Sequence, residues 1–143
     1  MKPLFDTTSL SLLEKIARFG ERRHEVLAGN IANINTPHYR MRDLPVADFR
    51  EALEKAVITQ HQSAKPTSEN QTVNQTQPKN LFPETLFKAV EAAPENLTFQ
   101  DANNRSVEVQ MMELTKNNMM QRFAIELMRL QYNMLQTAIT ERP

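Results

Sequence analysis

Cysteine is absent from this sequence, and so is tryptophan. Without thiols there is no disulfide, no thiolate metal site and no cysteine nucleophile. Glycine occurs twice, at Gly20 and Gly29, each inside a run of helical spacing. A loop that cradles phosphate needs glycine where backbone must approach the ligand. Nucleotide-binding loops of that kind are therefore excluded. Neither charge sign dominates: 17 basic residues balance 17 acidic ones, with no basic stripe. That argues against nucleic acid as a partner. No run approaches the ~18 apolar residues of a membrane span. The opening Met1-Lys2-Pro3-Leu4-Phe5-Asp6 lacks the apolar core and small-residue cleavage site of a secretory leader. The expectation is a cytoplasmic protein, or one exported without a cleaved signal. A length of 143 residues bounds the chain to one domain or one elongated unit. So few aromatics and glycines make a deep-pocketed enzyme core hard to build. Long helices packed sideways are easier.

What is present is heptad spacing at the C-terminal end. Val107, Met111, Leu114, Asn118, Gln121, Ile125, Met128, Tyr132, Leu135 and Ile139 alternate steps of four and three. That is the spacing of a helix stripe that faces a partner throughout. No proline or glycine interrupts Ser106 to Thr140. The helix predicted there runs roughly 50 Å at ~1.5 Å per residue. A second stripe, Met120, Phe123, Leu127, Leu130 and Met134, widens its apolar surface beyond a two-stranded seam.

The N-terminal end repeats the pattern. Thr7, Thr8 and Ser9 offer capping oxygens before Leu13, Ile16, Gly20, His24, Leu27, Ile31 and Ile34, again in threes and fours. A helix is predicted from Ser9 to about Asn33, with Glu14, Lys15, Arg18, Glu21, Arg22 and Glu25 on a charged face. Pro37 ends it by biasing Thr36 out of the helical region. Asp43 is placed to cap a short helix carrying Val46, Phe49, Leu53 and Ala56 or Val57 on one face. Residues 59–80 are almost wholly polar, which predicts a loop or a segment ordered only against a neighbour. A short helix is predicted from Glu84 to Ala93, a brief strand at Leu97–Phe99, and a capping turn at Asp101–Asn104.

The fold class expected is all-α and elongated. The two long terminal helices pair as an antiparallel coiled coil around an irregular middle segment with minor β structure. Residues 1–40 and 101–143 form the paired body, and residues 41–100 the variable middle. Two helices alone leave much apolar surface uncovered, so the chain reads as a subunit of an assembly. The predicted assembly residues are Leu13, Ile16, Leu27 and Ile31 with the ten C-terminal stripe residues above. Asn118 and Gln121, polar in that stripe, are candidates to fix register. The methionines concentrated near the C-terminus suit adaptable interfaces or ordinary core filling.

No chemistry is legible. His24, His38 and His61 lack ligand spacing. Glu108, Glu113 and Glu126 share a helix without facing as a catalytic pair, and no nucleophile elbow occurs. Neither an enzyme activity nor a cofactor or metal is expected.

Leu27-Ala28-Gly29-Asn30-Ile31-Ala32-Asn33-Ile34-Asn35-Thr36-Pro37-His38-Tyr39-Arg40 resembles the signature of bacterial flagellar rod, hook and hook-filament-junction proteins. Those typically read A-N-[IL]-A-N-x-x-T-P-G-Y. Asn30, Ala32, Asn33, Thr36, Pro37 and Tyr39 carry the match, and His38 stands where the family has glycine. Arg42-Asp43-Leu44, Phe49 and Leu53, with Val107-Glu108, Met112–Asn117 and Leu135–Ile139, are similar to the proximal-rod branch. The resemblance covers residues 9–57 and 101–140. It implies a helically stacked rod subunit, a drive shaft that passes torque from membrane ring to hook and lines the export channel. It also implies export by the flagellar type III apparatus and a position across the periplasm. The implied partners are sister subunits, a FlgC-like rod protein, the adaptor FliE and the membrane-ring protein FliF. A helical adaptor or export-chaperone-like binding protein is the alternative.

Overall fold

A 24-residue helix, α1 (Ser9–Ala32), holds the other elements in place. The computed structural model describes residues 9–63, 81–92 and 106–140. Among these, α1 is followed by a two-residue strand β1 (Arg42–Asp43), helix α2 (Val46–Ser63), a 3₁₀ turn (Glu84–Phe87), strand β2 (Val90–Glu91) and the 34-residue helix α3 (Val107–Thr140). The chain is all-α, with its two long helices packed against each other. They run antiparallel: Ser9 meets Gln131, Gly20 meets Gln121 and Asn30 meets Gln110.

The adjoining side of α1 carries the aromatic core. Phe19, Leu44, Phe49 and Leu86 are buried together, with Ile16, Val26, Phe82 and Phe87 packed around them. The Phe19 and Phe49 rings stack at 3.9 Å, and Phe87 meets both edge-on. Such ring pairs add ~0.5–1.5 kcal/mol beyond the area they bury. Residues 41–58 and 81–92 are thus clamped to α1 by rings rather than strung from it.

Several local expectations change. Residues 59–63, expected to open the polar loop, continue α2 to Ser63. Of residues 84–93, expected as a helix, 84–87 form only one 3₁₀ turn before Val90–Glu91 turns into a strand, and Ala93 lies outside the described residues. The reason is a competing partner: β2 pairs antiparallel with β1, Arg42 opposite Glu91 and Asp43 opposite Val90. The Ala92 amide also donates to the Met41 carbonyl. Asp43 does not cap α2, because Arg23 engages its carboxylate. Ser106 caps α3, its hydroxyl accepting from the Val109 amide. Thr7, Thr8, the expected strand at Leu97–Phe99, the turn at Asp101–Asn104 and residues 64–80 lie outside the described residues.

Candidate assembly interface

The α1–α3 contact is a mixed seam with polar side chains at its buried centre. Its most buried α3 positions are Gln110, Asn117 and Ala124, spaced by sevens. Leu114, Gln121 and Met128, also seven apart, are half-buried beside them. At the centre Asn117 Nδ2 donates to the Gly20 carbonyl at 2.7 Å, while its buried Oδ1 has no partner. The close approach depends on Gly20: a Cβ there would stand 3.2 Å from Gln121 Cβ. One turn on, His24 Nδ1 lies 3.0 Å from Asn118 Oδ1, which suits an Nδ1–H donor. Asn118 and Gln121 do sit at the seam. Their neighbour Asn117 is buried more deeply than either.

Toward the C-terminal end of α1 the seam becomes a network. Arg23 is buried and makes a two-pronged contact with Asp43, Nε to Oδ1 at 2.8 Å and Nη2 to Oδ2 at 2.7 Å. Its Nη2 also donates to Glu113 Oε2 at 3.0 Å. One guanidinium thereby ties α1, β1 and α3 together. Two carboxylates hold Arg23 above the ordinary arginine range, the Asp43 hydrogen bond contributing most. Glu113 is held below the ordinary carboxylate range. Its hydrogen bond from Lys116 contributes most to this, burial opposes it, and Arg23 adds to the lowering.

The motif residues have distinct places. Asn30 is 1% exposed and uses its whole amide. Its Nδ2 donates to the Arg42 carbonyl and to Gln110 Oε1, and its Oδ1 accepts from the Arg42 amide and the Tyr39 hydroxyl. Asn33 and Thr36 shape the exit from α1: Asn33 Nδ2 donates to the Gly29 carbonyl, and the Thr36 amide to the Asn33 carbonyl. Ala32, Thr36 and Pro37 are exposed. His38 takes φ of 59°, the left-handed conformation. The family's glycine at this position matches that geometry.

The apolar surface of α3 lies mostly away from α1. At roughly 100° per residue, Met112, Met119, Phe123 and Leu130 fall on one flank, and all are exposed. Val107, Ile125, Tyr132 and Ile139 fall on the other flank and are exposed too. Between them runs an outer polar strip containing Glu108, Thr115, Arg122, Glu126 and Arg129, the last two ion-paired. Of the predicted assembly residues, Leu27 is buried. Leu13, Ile16, Ile31, Leu114, Asn118, Gln121 and Met128 are half-buried. Val107, Met111, Ile125, Tyr132, Leu135 and Ile139 are exposed, Ile139 to 81%. The phase thus differs from an apolar seam on α1: Gln110 and Asn117 share the buried face with Ala124, Leu114 and Met128, and most of the other apolar side chains of α3 are exposed. Residues 132–140 continue beyond the Ser9–Gln131 contact and are exposed throughout.

Among the described residues no group of three His, Asp or Glu could hold a metal ion, and no helix is long and apolar enough to cross a membrane. An open cleft beside the Arg23 network, lined by Leu27, Asn30, Met41, Gln110 and Met112, has its central polar groups already paired.

No family model matches the chain. It is similar to the flagellar basal body rod protein FlgB of Aquifex aeolicus (strain VF5). The two are 33% identical over 114 residues, covering 77% of this chain and 75% of that protein.

Proposed function

The chain belongs to the family of the flagellar basal body rod protein FlgB, and from that premise we propose that it is a structural subunit of the proximal rod. Subunits stack helically into a drive shaft that passes torque from the membrane ring to the hook and lines the export channel. Its neighbours are sister copies, a FlgC-like rod protein, the adaptor FliE and the membrane-ring protein FliF. It reaches a position across the periplasm by flagellar type III export, without a cleaved leader. Residues 1–40 and 101–143 form the assembling body.

The observation that carries this reading is the pair of exposed apolar flanks on α3, on either side of the outer polar strip. A helix apolar on two sides fits between two neighbours, as in the wall of a tube. An apolar contact that is repeated and does not close builds a filament. Exposed apolar area of this kind marks an interaction surface.

The test replaces one residue on each flank, Phe123→Asp and Ile125→Asp. Both sites are exposed, so the isolated subunit should keep its helix content and stability within about 0.5 kcal/mol. Rod assembly, read as incorporation into purified basal bodies and as motility, should be lost. A variant charged on both flanks that still incorporates would refute the reading.

A further inference from the structure

We infer that the methionines on one flank of α3 form a modification site, whose oxidation by peroxide keeps the unassembled subunit out of the rod. The inference rests on the assembly reading above, because it assigns a regulation to that same surface. Six of the eight methionines lie on α3, in a chain without cysteine. Thioethers are therefore the only sulfur available to an oxidant. Their exposure is graded: Met119 is 71% exposed, and Met111, Met112, Met120 and Met134 are also exposed. Met128 is half-buried, and Met41 in the core is 4% exposed. Susceptibility of a thioether follows its access, so the chain carries its own protected control.

The chemistry balances with a hydroperoxide as oxidant. The sulfur lone pair attacks one peroxide oxygen, the O–O bond breaks and an S–O bond forms. The sulfur is oxidised to sulfoxide, and hydrogen peroxide is reduced to water. The product side chain is polar where the flank was apolar. Met112 and Met119 share that flank with Phe123 and Leu130, so two of its apolar contacts become groups that a dry interface must leave unsatisfied. The buried centre of the α1–α3 seam, Gln110, Asn117 and Ala124, holds no thioether, and the methionine beside it, Met128, is half-buried. Oxidation should therefore disable the outer surface and leave the fold intact. Once assembled, the same thioethers are covered.

The experiment has two arms. Purified full-length chain is treated with hydrogen peroxide, and each added oxygen, about 16 Da, is located by fragment mass spectrometry. Met119 and Met134 should oxidise before Met41, with helix content unchanged and full reversal by methionine sulfoxide reductases. In cells, Met112→Gln with Met119→Gln and Met134→Gln, a polar stand-in for the sulfoxides, should lose incorporation into basal bodies. The same three positions changed to leucine should retain it. Equal oxidation of Met41 and Met119, or normal incorporation of the glutamine variant, overturns the inference. Phe123→Asp separates the two readings. If it is excluded from basal bodies while the glutamine variant enters, only the oxidation inference fails. If Phe123→Asp also enters, the flank is no interface and both fall.

Discussion

Asn117 reaches across the helix pair to the backbone carbonyl of Gly20, ninety-seven residues earlier, at 2.7 Å. The Gly20 carbonyl lies mid-helix, so it can accept within α1 as well as from Asn117, whose Oδ1 is buried without a partner. A polar group so placed adds little net stability but penalises every other alignment of the two helices. Asn117→Leu should therefore shift stability by no more than about 1 kcal/mol while loosening register. Register can be read by cross-linking, since Ser9 and Gln131 meet in the native alignment and the chain has no cysteine of its own. Ser9→Cys with Gln131→Cys should cross-link with lower yield in the Asn117→Leu background. An unchanged yield would remove the register role. Gly20→Val, which forces bulk against Gln121, should instead cost ~1–3 kcal/mol in urea denaturation.

The helix bounds were legible in the sequence and the phase of their packing was not. Predicted helices from Ser9 to about Asn33 and from Ser106 to Thr140 compare with Ser9–Ala32 and Val107–Thr140. Unbroken spacing and the Thr36-Pro37 stop give such bounds directly. The face of α3 turned to α1 was concealed because pattern reading selects apolar residues. Here Gln110, Asn117 and Ala124 hold the buried heptad position. Phe19 was concealed in another way. It sits among Arg18, Glu21 and Arg22 on a face that reads as charged, yet it is fully buried because Phe49 from α2 stacks on it. The fourfold use of Asn30 was beyond reach as well, since Arg42 and Gln110 meet only after the turn. What could be read was the motif containing it.

Arg23 is buried with Asp43 as its two-pronged partner, so removing that partner strands a guanidinium. Breaking a buried pair from one side costs ~3–5 kcal/mol. Glu113 remains as a second acceptor and Asp43 is itself partly exposed, so Asp43→Ala should fall near the lower end. Urea denaturation measures it. A loss no greater than that of an ordinary surface substitution would mean the network contributes little.

Acid should weaken the fold through Glu113. Its carboxyl is held low in the native state by Lys116 first and by Arg23 as well. An unfolded glutamate titrates at about 4.3. Above that value both states are ionised and the stabilisation is fully present. Below it the unfolded state binds protons first, and the contribution is lost as pH falls through the lower native value. The urea midpoint should therefore decline as pH drops below about 4.3. Glu113→Gln should show a shallower decline. Glu51, lowered in the same direction by Lys55, leaves a residual slope.

His38 occupies left-handed backbone at φ 59° and is exposed. A side chain in that region costs roughly 1–2 kcal/mol. Glycine avoids the clash but gives back part of the gain through its freer unfolded chain. His38→Gly should therefore raise stability by roughly 0.5–1 kcal/mol, seen as a higher melting temperature with unchanged helix content. A lower melting temperature would show that the imidazole makes a contact worth more than the strain.

Asn30 and Asn117 are the same residue type, each 1% exposed and each on the helix seam, yet they should respond very unequally to replacement. Asn117 makes one bond and leaves an oxygen unpaired. Asn30 makes four, and two of them hold the amide and carbonyl of Arg42 at the start of β1. Asn30→Ala leaves those backbone groups and Gln110 without their partner. Each buried group so stranded costs about 1–3 kcal/mol, reduced where water can enter. The summed loss should reach about 3 kcal/mol or more, with the largest rise in amide hydrogen exchange at Arg42 and across the β1–β2 pair. If exchange rises instead along α1 and α3, with Arg42 protected as before, Asn30 serves the helix pair and not the turn.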